Sequence, residues 1–200
     1  MGAIVVPFRG TNGKQRLTGL DEEAHGRIVL AMLADVLAAT TAVSRTVVVT
    51  GDESGRRVAG EAGAEVVDDP GGGQSAAVAA ALGLLPPDSV LIVNADVPCV
   101  VPYDLRALLA ATPRGGIAFV ASADGRTNAL SLPGPELFQP LYGSKSAKKF
   151  RRSAEEIGVE AVAVSIPNLA DDVDTRDDLE RVGLRAGPHT QAALDELRAA

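Results

Sequence analysis

The sequence predicts an α/β fold, a mostly parallel central sheet flanked by helices. Three observations lead there. Short runs of branched apolar residues alternate with longer stretches whose apolar residues recur at helical spacing. Several of the short runs, "VLIV" among them, are apolar at every position, as expected of strands covered on both faces. The apolar content is mostly Ala, Val and Leu, with no Trp and only 3% aromatic residues, a composition suited to helices packed on a sheet.

The elements follow in order. "AIVVPFR" reads as a first strand. "DEEAHGRIVLAMLADVLAATTA" reads as a helix with Asp21 as its N-cap. "RTVVVTG" is a buried strand closed by Gly51, "DESGRRVAGEAG" a short helix ending at Gly63, and "AEVVDD" a third strand. "GGGQSAAVAAALGLL" turns through glycines into an Ala-rich helix, and "DSVLIVNAD" is the fourth strand. "PYDLRALLAAT" is a helix opened by a proline, and "GIAFVAS" is another strand. After about Ala123 the pattern changes: "TNALSL" is strand-like, "SKSAKKFRRSAEEIG" is a basic helix and "VEAVAVS" a strand. "DVDTRDDLERVG" opens a helix and "TQAALDELRAA" is helical. With no internal repeat or low-complexity linker, residues 1–200 read as a single domain.

The net charge of −7 argues against non-specific binding to nucleic acid or to an anionic membrane. No apolar run is expected to approach the roughly 20 residues that span a bilayer. "MGAIVVPFRG" lacks the basic lead and longer apolar core of a signal peptide. Cys99 is the lone cysteine, which leaves no disulfide frame, thiolate zinc site or redox pair. A cytoplasmic protein is expected.

Six stretches carry candidate chemistry. In "NADVPC", Asp96 follows a buried strand. In an open α/β sheet ligands sit beyond the carboxyl ends of strands, although an aspartate there can also just close a turn. In "DDVDT", Asp172 and Asp174 alternate with Val173, so in extended chain they point to one side. Two such carboxylates repel unless a cation lies between them, and a hard divalent ion takes carboxylate oxygens. Helix capping by Asp174 or Thr175 is the competing explanation. In "PFRGTNGKQRL", Arg9, Lys14 and Arg16 interleave with Gly10 and Gly13, a phosphate-binding composition that is not a Walker A loop. Gly71, Gly72 and Gly73 before Gln74 and Ser75 suit a tight turn or close approach to a flat ring. "DGRTNALSL" fits a hairpin turn. "YGSKSAKKFRR" places Gly143 and Ser144 before a basic helix, where an anion can bind.

In this order the stretches resemble nucleotidyltransferases of the nucleotide-diphospho-sugar transferase fold, and most of all the 2-phospho-L-lactate/phosphoenolpyruvate guanylyltransferase family, which serves synthesis of the deazaflavin coenzyme F-420. The resemblance covers nearly the whole chain. It implies that Asp96, Asp172 and Asp174 bind metal, with Mg²⁺ as cofactor. It places Thr127, Gly143 and Ser146 on the acceptor's phosphate and carboxylate. Arg9, Lys14 and Arg16 fall near the triphosphate, and Gly73, Gln74 and Ser75 near the base and ribose. Asp96, Lys14 and Arg16 become the catalytic group. GTP and a small phosphoacid are the implied partners, with room left for a homodimer and for a downstream transferase of the same pathway.

A phosphate monoester acceptor is mostly ionised at neutral pH, its second pKa being about 6, so no general base is demanded. That agrees with His25 and His189, which lie in or near helices with no nucleophile in sequence reach and are read as structural. Two rivals remain: a transferase acting on molybdopterin or a sugar phosphate, and a non-catalytic nucleotide-binding protein. A dinucleotide-dependent reductase is disfavoured because the first strand is not followed by G-x-G-x-x-G.

Overall fold

The computed structural model describes residues 2–11, 17 and 20–199. Lys14 and Arg16, two of the basic residues expected near a triphosphate, lie outside the described residues.

Seven strands form one sheet. β1 (Ala3–Pro7) is flanked by β2 (Thr46–Val49) and β4 (Val90–Val93), and β3 (Glu65–Val67) edges the sheet beyond β2. On the other side β6 (Thr127–Leu132) pairs antiparallel with both β4 and β5 (Ile117–Ala121), and β7 (Ala161–Ala163) runs parallel to β5. The order is β3-β2-β1-β4-β6-β5-β7 with β6 alone reversed, so the sheet is mostly parallel, as the sequence predicts.

The strands bury both faces, and the side chains alternate between two cores as the pleat requires. On β1, Ile4 and Val6 face one core and Val5 the other; on β4, Leu91 and Val93 oppose Val90 and Ile92. The first core is covered by α1 (Glu22–Thr41), α2 (Glu53–Glu61), α4 (Pro102–Ala111), α6 (Pro167–Ala170), α7 (Arg176–Val182) and α8 (Pro188–Ala199). The second is covered by α3 (Gln74–Leu82) and α5 (Ser146–Glu156).

The caps explain where helices start. Asp21 accepts from the Ala24 N–H at 2.7 Å, as the sequence suggests. Asp52 accepts from Gly55 at 2.7 Å and from the Thr11 amide at 3.1 Å, so it caps α2 and holds the loop after β1. Asp104 accepts from the Val101 N–H at 3.0 Å at the head of α4.

α1 departs from expectation. Its 20 residues are long and apolar enough to cross a bilayer, contrary to the reading that no run approaches that length. Its packing gives the reason for the composition: Ile28, Met32, Leu33, Val36 and Leu37 are all within 1% of complete burial against the sheet. Asp35 on the same helix is 4% exposed and accepts from the His189 and Thr190 N–H groups at 3.0 and 2.8 Å, capping α8 from another helix. Cys99 is buried and its Sγ faces the Val182 carbonyl at 3.9 Å.

Candidate functional site

The carboxyl ends of β1 and β4 meet the start of β6. Because β6 is antiparallel, its first residue, Thr127, lies beside the end of β4. The helices α3 and α5 aim their N-termini at the same place. Together these ends enclose an open cleft of about 460 Å³, lined by Arg9, Gly73, Gln74, Ser75, Asp96, Arg126, Thr127, Gly143, Ser146, Asp172 and Asp174 among others. Thus each described residue that the resemblance assigned to a site lines one cleft. A smaller, more apolar pocket of about 140 Å³ adjoins it through Arg9, Gln74, Asn94 and Asp96, with Phe8, Val29 and Met32 in its walls.

Asp96 sits in the turn after β4. The loop at 171–174 is fixed against it, because the Val173 N–H donates to the Asp96 carbonyl at 3.0 Å. Val173 is fully buried, so Asp172 and Asp174 turn to the opposite side. Carboxylate oxygens of Asp96, Asp172 and Asp174 lie within 4.8 Å of one another.

The capping alternative for Asp174 is resolved by its neighbour. Thr175 caps α7, taking the Asp178 N–H at 3.2 Å, and the Asp178 carboxylate accepts from the Asp174 and Thr175 amides at 3.2 and 2.9 Å. Asp174 is therefore not needed as the cap. Arg126 stands 3.8 Å from its Oδ2. Behind the loop, Asp171 accepts from Arg181 at 2.8 Å and from Arg185. Burial alone would raise the Asp171 pKa, but these two guanidinium groups hold it below the usual carboxylate range.

On the facing wall, the Ser146 hydroxyl donates to Thr127 Oγ1 at 3.0 Å, and both residues are buried. Gly143 adopts φ +116° and Lys145 φ +55°, a left-handed pair that turns the chain sharply into α5. The first amides of α5 are already engaged: Ser146 donates to the Gly143 carbonyl at 3.1 Å and Ala147 to Gly125 at 3.2 Å. The expectation of an open helix terminus for an anion is narrowed accordingly, to the hydroxyl pair and the side chains around it.

Gly71, Gly72 and Gly73 all have positive φ, and Gly73, at φ +91° and ψ −176°, occupies a region essentially closed to other residues. The three glycines are thus conformationally required before α3. The Ser75 hydroxyl accepts from the Tyr142 N–H at 3.2 Å, joining this turn to the segment that leads into α5.

Sequence reasoning missed two residues that bind the walls together. Asn94 Nδ2 reaches the Thr127 carbonyl and Asn128 Oδ1, each at 3.3 Å, and its Oδ1 accepts from Gln74 Nε2 at 2.6 Å. Asn128 Nδ2 reaches Asp172 Oδ1 at 3.2 Å and the Ala170 carbonyl at 3.3 Å. The signal for Asn128 is a bulge. Val120 pairs with Ala129 and Ala121 with Thr127, which leaves Asn128 without a β5 partner. A register slip of this kind has no local sequence signature.

Neither histidine lines the cleft. His25 lies within α1, and His189 opens α8 with its backbone N–H on Asp35.

A family model described as a MobA-like NTP transferase domain matches residues 21–163. The chain is 35% identical over 205 residues to a phosphoenolpyruvate guanylyltransferase of Geodermatophilus obscurus, covering 96% of this chain and 93% of the relative. It is 36% identical over 213 residues to a protein of the same name from Conexibacter woesei, with 98% and 95% covered. The chain belongs to this guanylyltransferase family, within the MobA-like NTP transferases. It is accordingly a transferase of nucleotidyl groups. Solved structures agree on the fold. A candidate nucleotide-diphospho-sugar transferase from Desulfovibrio desulfuricans G20 superposes with a TM-score of 0.76 at 14% identity, over 98% of this chain and 95% of that one. A nucleotidyl transferase from Methanothermobacter gives 0.64 at 18% identity, over 97% and 98%. The fold expectation, a nucleotide-diphospho-sugar transferase type of α/β sheet, is met.

Proposed function

We propose that this transferase joins GMP from GTP to the phosphate of a three-carbon phosphoacid, phosphoenolpyruvate or 2-phospho-L-lactate, releasing pyrophosphate in the synthesis of coenzyme F-420. The observation that carries the reading is the cleft itself. Three carboxylates within 4.8 Å share one cleft with a buried hydroxyl pair, a glycine turn and the helix start that follows it. The name shared by the relatives favours phosphoenolpyruvate.

The donor set fits a divalent metal. Three carboxylates are hard oxygen ligands, and their mutual repulsion is relieved by a cation. Asp96, Asp172 and Asp174 would hold Mg²⁺. When bound, the ion would neutralise phosphate charge and favour departure of pyrophosphate.

The chain's own residues do the rest. Thr127, Gly143 and Ser146 hold the acceptor. An acceptor phosphate oxygen, ionised without help, attacks the α-phosphorus of GTP; the new P–O bond forms as the α–β bridging P–O bond breaks, and pyrophosphate takes the electron pair. Arg9, with Lys14 and Arg16 from the same stretch of sequence, stabilises the triphosphate. Gly73, Gln74 and Ser75 meet the base and ribose. One continuous sheet supports a single domain over 1–200. A cytoplasmic location suits a lone, buried, unpaired cysteine. A homodimer and a downstream transferase are the protein partners this reading leaves open.

The test is pyrophosphate release with Mg²⁺, crossing GTP, ATP and CTP against phosphoenolpyruvate, 2-phospholactate and 3-phosphoglycerate. Release with GTP and one of the first two acids is expected. Release only with another base, or with none of the acids, would overturn the assignment and return the molybdopterin, sugar-phosphate and non-catalytic readings.

A further inference from the structure

The amide chain across the cleft has only one consistent polarity. It begins at groups that can only accept. Asp172 Oδ1 and the Ala170 carbonyl lie 3.2 and 3.3 Å from the same nitrogen of Asn128. That end of the Asn128 carboxamide must therefore be its NH₂, and both of its hydrogens are used. Its oxygen is then fixed as an acceptor 3.3 Å from Asn94, whose facing atom must be Nδ2. The Thr127 carbonyl, also 3.3 Å from that nitrogen, imposes the same choice. Asn94 Oδ1 is left as an acceptor, and the Gln74 atom 2.6 Å away must be Nε2. Flipping Gln74 would set two carbonyl oxygens 2.6 Å apart. Asn128 is 1% exposed, so water does not readily substitute for a missing link.

From this chain we infer that Gln74 selects its ligand as a hydrogen-bond acceptor, through Oε1, and that Asn94 and Asn128 are positioning residues that transmit this polarity from Asp172. The inference rests on the reading of the cleft as a nucleotide site and deepens it. Gln74 lines both the polar cleft and the adjoining apolar pocket, and with Nε2 engaged by Asn94 its Oε1 is the atom left for a ligand that bridges the two. Its match is a donor on the nucleoside. Two sources share that chemistry: an N–H at the base edge, such as the guanine 2-amino group, or a ribose hydroxyl. The chain also joins the two halves of the cleft. Asn128 holds one oxygen of Asp172, so a change that releases Asn128 disturbs the carboxylate and the acceptor amide together. Bonds from a neighbouring amide to a ligating carboxylate typically carry about tenfold or more in metal affinity.

The experiment is calorimetric binding of GTP, inosine triphosphate and 2′- and 3′-deoxy-GTP to the wild type, Gln74→Leu, Asn94→Leu and Asn128→Ala. Mn²⁺ binding without nucleotide is followed in parallel by electron paramagnetic resonance. The wild type is expected to bind one analogue about tenfold more weakly than GTP, as befits one lost hydrogen bond. Loss with the inosine nucleotide assigns the base, and loss with a deoxy nucleotide assigns the ribose. Gln74→Leu should bind GTP about tenfold more weakly and lose that discrimination while keeping Mn²⁺ affinity. Asn94→Leu should lose the discrimination as well. Asn128→Ala should reduce it and weaken Mn²⁺ about tenfold. A merely structural role would lower the melting temperature and leave the GTP-to-analogue ratio alone, and that result overturns the inference. So does a wild type that distinguishes none of the analogues. Failure of the wild type to bind GTP at all would instead overturn the parent reading. Should Asn94→Leu fail to fold, Gln74→Leu decides the matter, since its side chain lies at the cleft and not in a core.

Discussion

The backbone N–H of Val173 donates to the carbonyl of Asp96 at 3.0 Å. The bond joins residues 77 apart in sequence, and it sets the register of two acidic loops against each other. With Val173 anchored in the core, Asp172 and Asp174 have one direction left to them, toward Asp96.

Asp96→Asn keeps the shape of the side chain and removes one negative charge from the cluster. Pyrophosphate release with GTP and the acceptor should fall by at least about a hundredfold, while the melting temperature stays level or rises as carboxylate repulsion is relieved. Stopped transfer with an intact melting transition is the expected pair of results. Wild-type turnover in this variant would remove Asp96 from the metal-binding set.

Thr127→Val is nearly isosteric and deletes the acceptor for the Ser146 hydroxyl. Both groups are buried, so the stranded Ser146 hydroxyl should cost about 1–3 kcal/mol in chemical denaturation. The KM for the phosphoacid should rise severalfold while the KM for GTP changes little. Equal effects on both substrates would place the pair outside the acceptor site.

Much of this architecture is legible in the sequence, because most strands are short apolar runs and several helices open on a local cap or turn signal. Asp21 and the glycines before Gln74 are examples. The direction of β6 is not legible, since "TNALSL" has the same alternation whichever way it runs. "VEAVAVS" shrinks to Ala161–Ala163 at the sheet edge, where pairing with a single neighbour ends early. The pairing of Asp172 and Asp174 could be proposed from spacing, since Val173 between two aspartates fixes their side. Asn94 and Asn128 could not, because their partners lie 20, 34 and 44 residues away. Asp35 hides for the same reason: within "AMLADVL" it reads as a polar lapse on an apolar helix, and its partners are 154 and 155 residues distant.

Asp35→Ala tests that distant cap. Two α8 amides would lose their acceptor inside the protein, and stability should fall by about 1–2 kcal/mol in urea. Hydrogen exchange should accelerate in α8 before it does in β1 or β4. Turnover per folded molecule should be unchanged, because α8 covers the face of the sheet served by α1 and does not line the cleft. Loss of turnover without loss of stability would contradict this separation.

Arg185→Met gives a pH-dependent result whose sign is fixed by the Asp171 carboxyl. Burial opposes its ionisation, but Arg185 and Arg181 overcome that and lower its pKa in the folded protein. A lowered folded pKa contributes stability above the unfolded value, about 3.9, and that contribution is lost as pH falls through the folded pKa. Removing Arg185 moves the folded pKa back upward. The variant should therefore melt slightly below the wild type at pH 7, by no more than about 2 °C for so solvent-screened a pair, and the gap should close as the pH drops below about 4. Arg181 still reaches Asp171 at 2.8 Å, so the loop should stay in place and the effect should remain partial. A melting difference that persists unchanged down to pH 3 would assign the contribution of Arg185 to packing of its aliphatic stem, and would remove the charge clamp from the account of how the 171–174 loop is held.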